Sequence, residues 1–175
     1  ASTDELLISD AGVLKRIDFS LVKSSDAFTN VDRWKMSNQN YSNGDTMTNG
    51  WSRDTVLNGM PFGTGLTESS GIFSFPTTGL YKIDFHCYVY NGNTTHTYVG
   101  AAMKATNDAF SSNVQQLSVS YAQISAAQAH ANIAQNGLYK IDNVSNNKFK
   151  LMVETNTGTP GFYLTYLTFM RLGDG

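Results

Sequence analysis

Alternation of apolar and polar positions dominates the chain, and it is cleanest over residues 79–90. There Tyr81, Ile83, Phe85, Cys87 and Val89 fall on one face and Lys82, Asp84, His86, Tyr88 and Tyr90 on the other. A period of two over this length predicts a strand whose first face meets the core. The second face mixes charge with aromatic rings, so the strand is expected to be central in its sheet and covered by something. Just before it, Phe73 and Phe75 lie in a short aromatic strand over residues 71–75, and Pro76, Thr77, Thr78 and Gly79 supply turn chemistry. Together the two strands predict a β-hairpin. Strands are also expected over residues 98–104 and 116–121, joined through Asn107, Asp108, Ser111, Ser112 and Asn113.

Residues 122–134 are rich in Ala and Gln, which favours a helix. Against that, Ala127, Ala129, Ala131 and Ile133 alternate with Gln128, His130 and Asn132, and no capping box opens the segment. The expectation is a strand, with a short helix as the alternative. Residues 137–142 and 148–154 read as a further strand pair across the polar turn 143–147, with Phe149, Leu151 and Val153 on one face.

The last strand, residues 162–172, has two apolar faces. Phe162, Leu164, Tyr166, Met170 and Leu172 lie on one, and Tyr163, Leu167 and Phe169 on the other. A strand of an isolated sandwich wets one face, and no convincing helix remains in the chain to act as cover. A neighbouring subunit is therefore expected there, with His86, Tyr88, Tyr90, Tyr163, Leu167 and Phe169 as interface candidates. The front of the chain differs: residues 6–9 and 13–19 flank the turn residues Asp10, Ala11 and Gly12 and predict a small hairpin. Residues 1–24 are read as a stem or docking segment, with Leu6, Leu7, Ile8, Leu14, Ile17 and Phe19 as docking candidates, and residues 25–175 as the main domain. Residues 38–50 are almost wholly polar and turn-forming and are expected to be an exposed loop. No solenoid-type repeat is visible.

Composition narrows the partners. Charged residues make up only 15% of the 175 residues, against the roughly 25% usual for soluble domains. A surface of Ser, Thr, Asn, Gln and Gly suits a protein that packs closely against copies of itself. The net charge is −2 and the Lys and Arg residues are scattered, which argues against a nucleic-acid partner. No apolar run is long enough to span a membrane, and residues 1–7 lack the pattern of a secretion signal, so neither is expected.

The residues for catalysis do not assemble into a pattern. His86, His96 and His130 lack metal-ligand spacing, no Gly-x-Ser-x-Gly elbow occurs, and Cys87 sits in too apolar a run for a thiolate. Asp45, Asp54, Glu68, Asp84 and Glu154 form no evident acid pair, and there is no EF-hand-like run. No enzyme activity, metal or cofactor is expected. Trp34 and Trp51 flank the polar segment that contains Tyr41, and aromatics beside Asn and Asp suit stacking on a sugar ring. These three are the glycan-binding candidates, the competing reading being that the tryptophans anchor the core.

Two resemblances go beyond composition. The order Phe73, Phe75, Pro76, Gly79, Tyr81, Phe85, followed by a terminal aromatic strand, resembles the tumour-necrosis-factor and complement-head superfamily over roughly residues 27–172. Residues 6–19 and the ending at residues 166–174 resemble segments of structural and tail-fibre proteins of bacteriophages, particularly those of marine bacteria. These resemblances imply an all-β antiparallel jelly-roll sandwich. They also imply a homotrimer assembled through the sheet that holds residues 79–90 and the last strand, and a place on the virion surface. Three copies around an axis close on themselves and stop the contact from propagating. The implied function is host adhesion by a tail fibre, through a bacterial surface glycan or protein. The alternatives are a capsid decoration, cement or head-fibre protein docked through its N-terminal segment onto other virion proteins and, further off, a glycan depolymerase.

Overall fold

The computed structural model describes residues 5–10, 13–18, 30–55 and 61–174, and among them every regular element is a β-strand. The N-terminal hairpin pairs β1 (Glu5–Asp10) with β2 (Val13–Asp18) in a two-stranded sheet of its own, closed by the pair Asp10 and Val13. Phe19 lies outside the described residues. The other strands form two sheets. One runs β10 (Gln115–Ile124), β9 (His96–Thr106), β12 (Lys148–Thr155), β7 (Ile72–Ser74), β6 (Thr67–Ser69). The other runs β11 (His130–Ile141), β8 (Gly79–Tyr90), β13 (Gly161–Gly173), β3 (Val31–Met36), β5 (Trp51–Arg53), with β4 (Gln39–Asn40) also on β13. All pairings are antiparallel.

β8 is central, between β11 and β13, and Tyr81, Ile83, Phe85, Cys87 and Val89 are buried as its alternation requires. The expected hairpin of β7 with β8 does not form. β7 pairs with β6 and β12 in one sheet, while β8 lies in the other. The turn after Phe75 carries the chain across the sandwich, so that both strands put their apolar faces into the shared core. For the same reason residues 137–141, at the end of β11, and β12 are not a pair: β11 joins β8, and β12 joins β9. β9 and β10 do pair. The Ala/Gln-rich segment is neither one strand nor a helix; β10 ends at Ile124, a turn comes next, and β11 starts at His130.

The core is aromatic at its centre. Phe73 meets Trp34, Trp51, Phe149 and Phe169 with ring centroids 5.5, 5.4, 6.2 and 5.2 Å away, in edge-on or tilted arrangements that favour the ring quadrupoles. One charged group is buried beside it. Asp32 takes Nε and Nη2 of Arg53 at 3.0 and 3.2 Å, the Leu66 amide at 2.8 Å and the Trp34 indole N–H at 3.0 Å. Gly65 is needed here, because a Cβ would lie 2.6 Å from Arg53 Nη2 and 2.8 Å from Asp32 Oδ2. With its lone pairs satisfied, the carboxylate ties β3 to β5 and to the chain before β6; removing one partner of such a buried pair costs about 3–5 kcal/mol.

β13 departs from simple alternation. Its register on β8 slips between Tyr163, opposite Tyr88, and Tyr166, opposite His86, so one extra residue is accommodated in a β-bulge. Leu164 sits in the bulge at φ 44° and is 56% exposed. The slip reverses the parity of the rest of the strand: Phe162 is in the core, and after the bulge Thr165, Leu167 and Phe169 are. Leu167 and Phe169 are therefore corrected from interface candidates to core residues. Tyr163, Leu164, Tyr166, Thr168 and Met170 are not buried.

Candidate functional site

The six-stranded sheet turns one face away from the five-stranded sheet, and the residues on this outer face come from β3, β8, β11 and β13. One end of the face is aromatic. Register sets Tyr90 opposite His130 and Tyr88 opposite Tyr163. The rings of Tyr90 and His130 are 4.8 Å apart, those of Tyr90 and Tyr163 5.8 Å, those of His86 and Tyr88 5.7 Å, and those of His130 and Tyr163 6.5 Å. Leu164 stands beside them on its bulge, and Asn38, Tyr88, His130, Tyr163 and Leu164 bound an apolar hollow of about 470 Å³. Five rings and a leucine at the surface of one sheet present a large apolar area with few charges and little side-chain entropy to lose.

The other part of the face is polar. Arg33 lies over the Tyr166 ring at 4.3 Å and pairs with Asp54 at 3.4 Å, and Lys82 pairs with Asp84 at 3.0 Å. Arg33, Asp84, His86, Asn136, Tyr166 and Thr168 border a shallow trench of about 470 Å³. The face thus divides into a greasy end and a charge-paired middle.

Of the interface candidates, His86, Tyr88, Tyr90 and Tyr163 are brought together here. His130 and Leu164 complete the patch and were not foreseen. His130 belongs to it through the pairing of β11 with β8, which no local pattern reveals, and Leu164 through the bulge.

The glycan-binding candidates are elsewhere. Trp34 is 8% exposed and Tyr41 6%, both in the core, and Trp51 is half-buried against Phe73 with its indole N–H donated to the Met47 carbonyl at 2.7 Å. That assignment is corrected: rings packed on Phe73 and Phe162 cannot stack on a sugar. Nor is the polar segment between the tryptophans a free loop. Met47 is buried, and the backbone of Gly44, Asp45 and Met47 bonds to Leu151 and Val153 of β12. Leu6, Leu7, Ile8, Leu14 and Ile17 lie in the β1–β2 sheet.

Each carboxylate considered for chemistry has a structural partner. Asp45 accepts the Ser42 amide, Asp54 meets Arg33 and Lys35, Glu68 accepts the Gly71 amide, Asp84 meets Lys82, and Glu154 meets Lys104 and the Tyr121 hydroxyl. Cys87 is free and buried, and burial pushes its thiol pKa far up. Among the described residues no group of three or more His, Cys, Asp or Glu could hold a metal ion, and no helix is long and apolar enough to cross a membrane.

No protein-family model matches the sequence, and no curated protein matches it. Solved structures do match. Murine APRIL at pH 5.0 is similar with a TM-score of 0.59 at 15% identity, over 82% of this chain and 98% of that one. Eiger TNF from S. frugiperda has a TM-score of 0.62 at 10% identity, over 86% and 96%. PRD1 vertex protein P5 has a TM-score of 0.53 at 16% identity, over 85% and 100%. At such identities it is the fold that is shared. The two antiparallel sheets, their crossovers and these likenesses together make the chain a jelly-roll sandwich of the tumour-necrosis-factor-like fold.

Proposed function

We propose that the domain is a homotrimeric virion-surface protein that attaches a bacteriophage to its host, as the distal part of a tail fibre. The observation that carries the reading is the aromatic end of the outer sheet face, where Tyr88, Tyr90, His130, Tyr163 and Leu164 have no covering element among the described residues. Three copies placing these faces around an axis would each bury on the order of 1,000 Å², the range of stable interfaces. Adhesion then gains from three equivalent sites on one body. The low charge and the phage-like flanks of the sequence support the same reading. The reading is non-enzymatic, and the structural partners of Asp45, Asp54, Glu68, Asp84 and Glu154 support it.

Sedimentation equilibrium at micromolar concentration tests the assembly. The expected mass is three times the chain's 19.2 kDa, and Leu164→Asp, which changes a side chain outside the core, is expected to give monomers with an unchanged circular dichroism spectrum. A monomeric parent protein would sink the reading. A second reading, capsid decoration, is favoured by one observation, the likeness to a protein named for a vertex. In that case the separate β1–β2 sheet would be the docking arm.

A further inference from the structure

At one end of the sandwich, the loop 91–95 between β8 and β9 and the loop 156–160 between β12 and β13 enclose a cleft of about 300 Å³. It has no charged lining residue: Tyr90 and Tyr163 form an edge-to-face wall with centroids 5.8 Å apart, and Asn40, Asn93, Thr94 and Thr159 surround it. The polar side chains of these last four are exposed and make no hydrogen bond to another described residue. The loop that carries two of them is braced. Asn91 Nδ2 donates to the Ala126 carbonyl at 2.6 Å, Asn91 Oδ1 accepts the Ala129 amide at 3.2 Å, and the Gln128 amide donates to the Gly92 carbonyl at 2.5 Å. Gly161 keeps the floor open, since a Cβ there would lie 2.5 Å from the Tyr163 ring and 2.8 Å from Asn40 Oδ1.

We propose that this cleft binds the neutral pyranose end of a surface glycan. Amides and hydroxyls both donate and accept, as sugar hydroxyls do, and Tyr90 and Tyr163, shared with the aromatic end of the sheet face, set the cleft at the rim of the proposed interface, where the ring surface that lines the cleft is left for the C–H side of a sugar. The volume lies at the small end of the roughly 300–1,000 Å³ of ligand sites, room for one or two rings. With no cation in the lining, a carboxylated or sulfated sugar would lose hydration and gain no partner. The site includes none of Trp34, Tyr41 and Trp51, sharing only Asn40 with the polar segment between the tryptophans, and its biological role rests on the attachment reading above.

The test uses the full chain in its solution assembly. Methyl glycosides of glucose, galactose, mannose and N-acetylglucosamine are titrated while amide shifts and saturation transfer are followed by NMR, with glucuronate and galactose 6-sulfate as charged probes. At least one neutral glycoside is expected to bind with a Kd of about 1 mM and to shift the amides of Asn93, Thr94 and Thr159. The double variant Asn93→Ala, Thr159→Ala is expected to weaken this about tenfold, two lost hydrogen bonds, without changing the sedimentation mass. The inference is overturned if none of the four binds at these amides, if the charged probes shift them as strongly, or if the double variant binds like the parent. Mass measured on the same samples separates the two readings. A trimer that ignores every glycoside ends this inference alone, and a monomer that binds one ends only the assembly.

Discussion

Asp32 and His96 are both buried polar side chains, and they are satisfied to different degrees. Asp32 accepts from four donors, whereas His96 has Nδ1 on the Thr155 hydroxyl at 3.0 Å and a buried Nε2 with no hydrogen-bond partner among the described residues. Burial lowers the His96 pKa below its usual 6.5, against a smaller opposing effect of the Thr157 backbone. The sign comes from proton counts: below pH 6.5 the unfolded chain takes up a proton that the folded one refuses, so stability is full above that pH and falls beneath it toward the folded pKa. Urea midpoints are expected to drop between about pH 7 and about pH 5.5, and His96→Leu to flatten that profile. An equally steep profile in the variant would clear His96 of the effect. None of this could be read from the sequence, where His96 is one of three scattered histidines. Cys87, by contrast, was legible as a small buried apolar residue because unbroken alternation surrounds it.

At the scale of elements, the same alternation explains what was legible and what was not. β8 carries an uninterrupted period of two, and its faces can be assigned residue by residue. β13 carries the same kind of pattern with one residue too many, and the parity read from either end is wrong beyond the bulge. A sharp consequence can be measured. Deleting Leu164 would set Thr165 opposite Cys87 while leaving Tyr163 on Tyr88 and Tyr166 on His86, so every other side chain keeps its face. The deletion also removes a left-handed leucine, a conformation that costs roughly 1–2 kcal/mol. The shortened chain is expected to fold with a melting temperature no lower than the parent's, and to associate more weakly. Collapse of the fold would show that the extra residue is required by the core. The turn residues around Pro76 predicted a hairpin but said nothing of which sheet comes next, which depends on partners far along the chain.

For the whole molecule, all-β architecture followed from patterning, and the jelly roll was implied by the family resemblance that the aromatic residues around Pro76 carry. The glycan site was misplaced because Trp and Tyr beside a polar run look alike whether they face solvent or Phe73. The cleft at the loop end was invisible because its parts, Asn40, Asn93 and Thr159, are far apart in sequence. Among the described residues the β1–β2 sheet shares no strand pairing with the sandwich, so removing residues 1–24 is expected to leave the melting temperature and the sedimentation mass unchanged, and loss of the shortened chain from capsids would favour the decoration reading over the fibre. Unfolding of the truncated chain would mean that these residues are part of the fold and not an arm.

The outermost strands at one side of the sandwich, β5 and β6, are three residues each. So short a margin gives an incoming backbone little to zip onto, and Arg53 on β5 already has its guanidinium committed to Asp32. Copies crowded at high density are thereby discouraged from growing sideways into ribbons along this border.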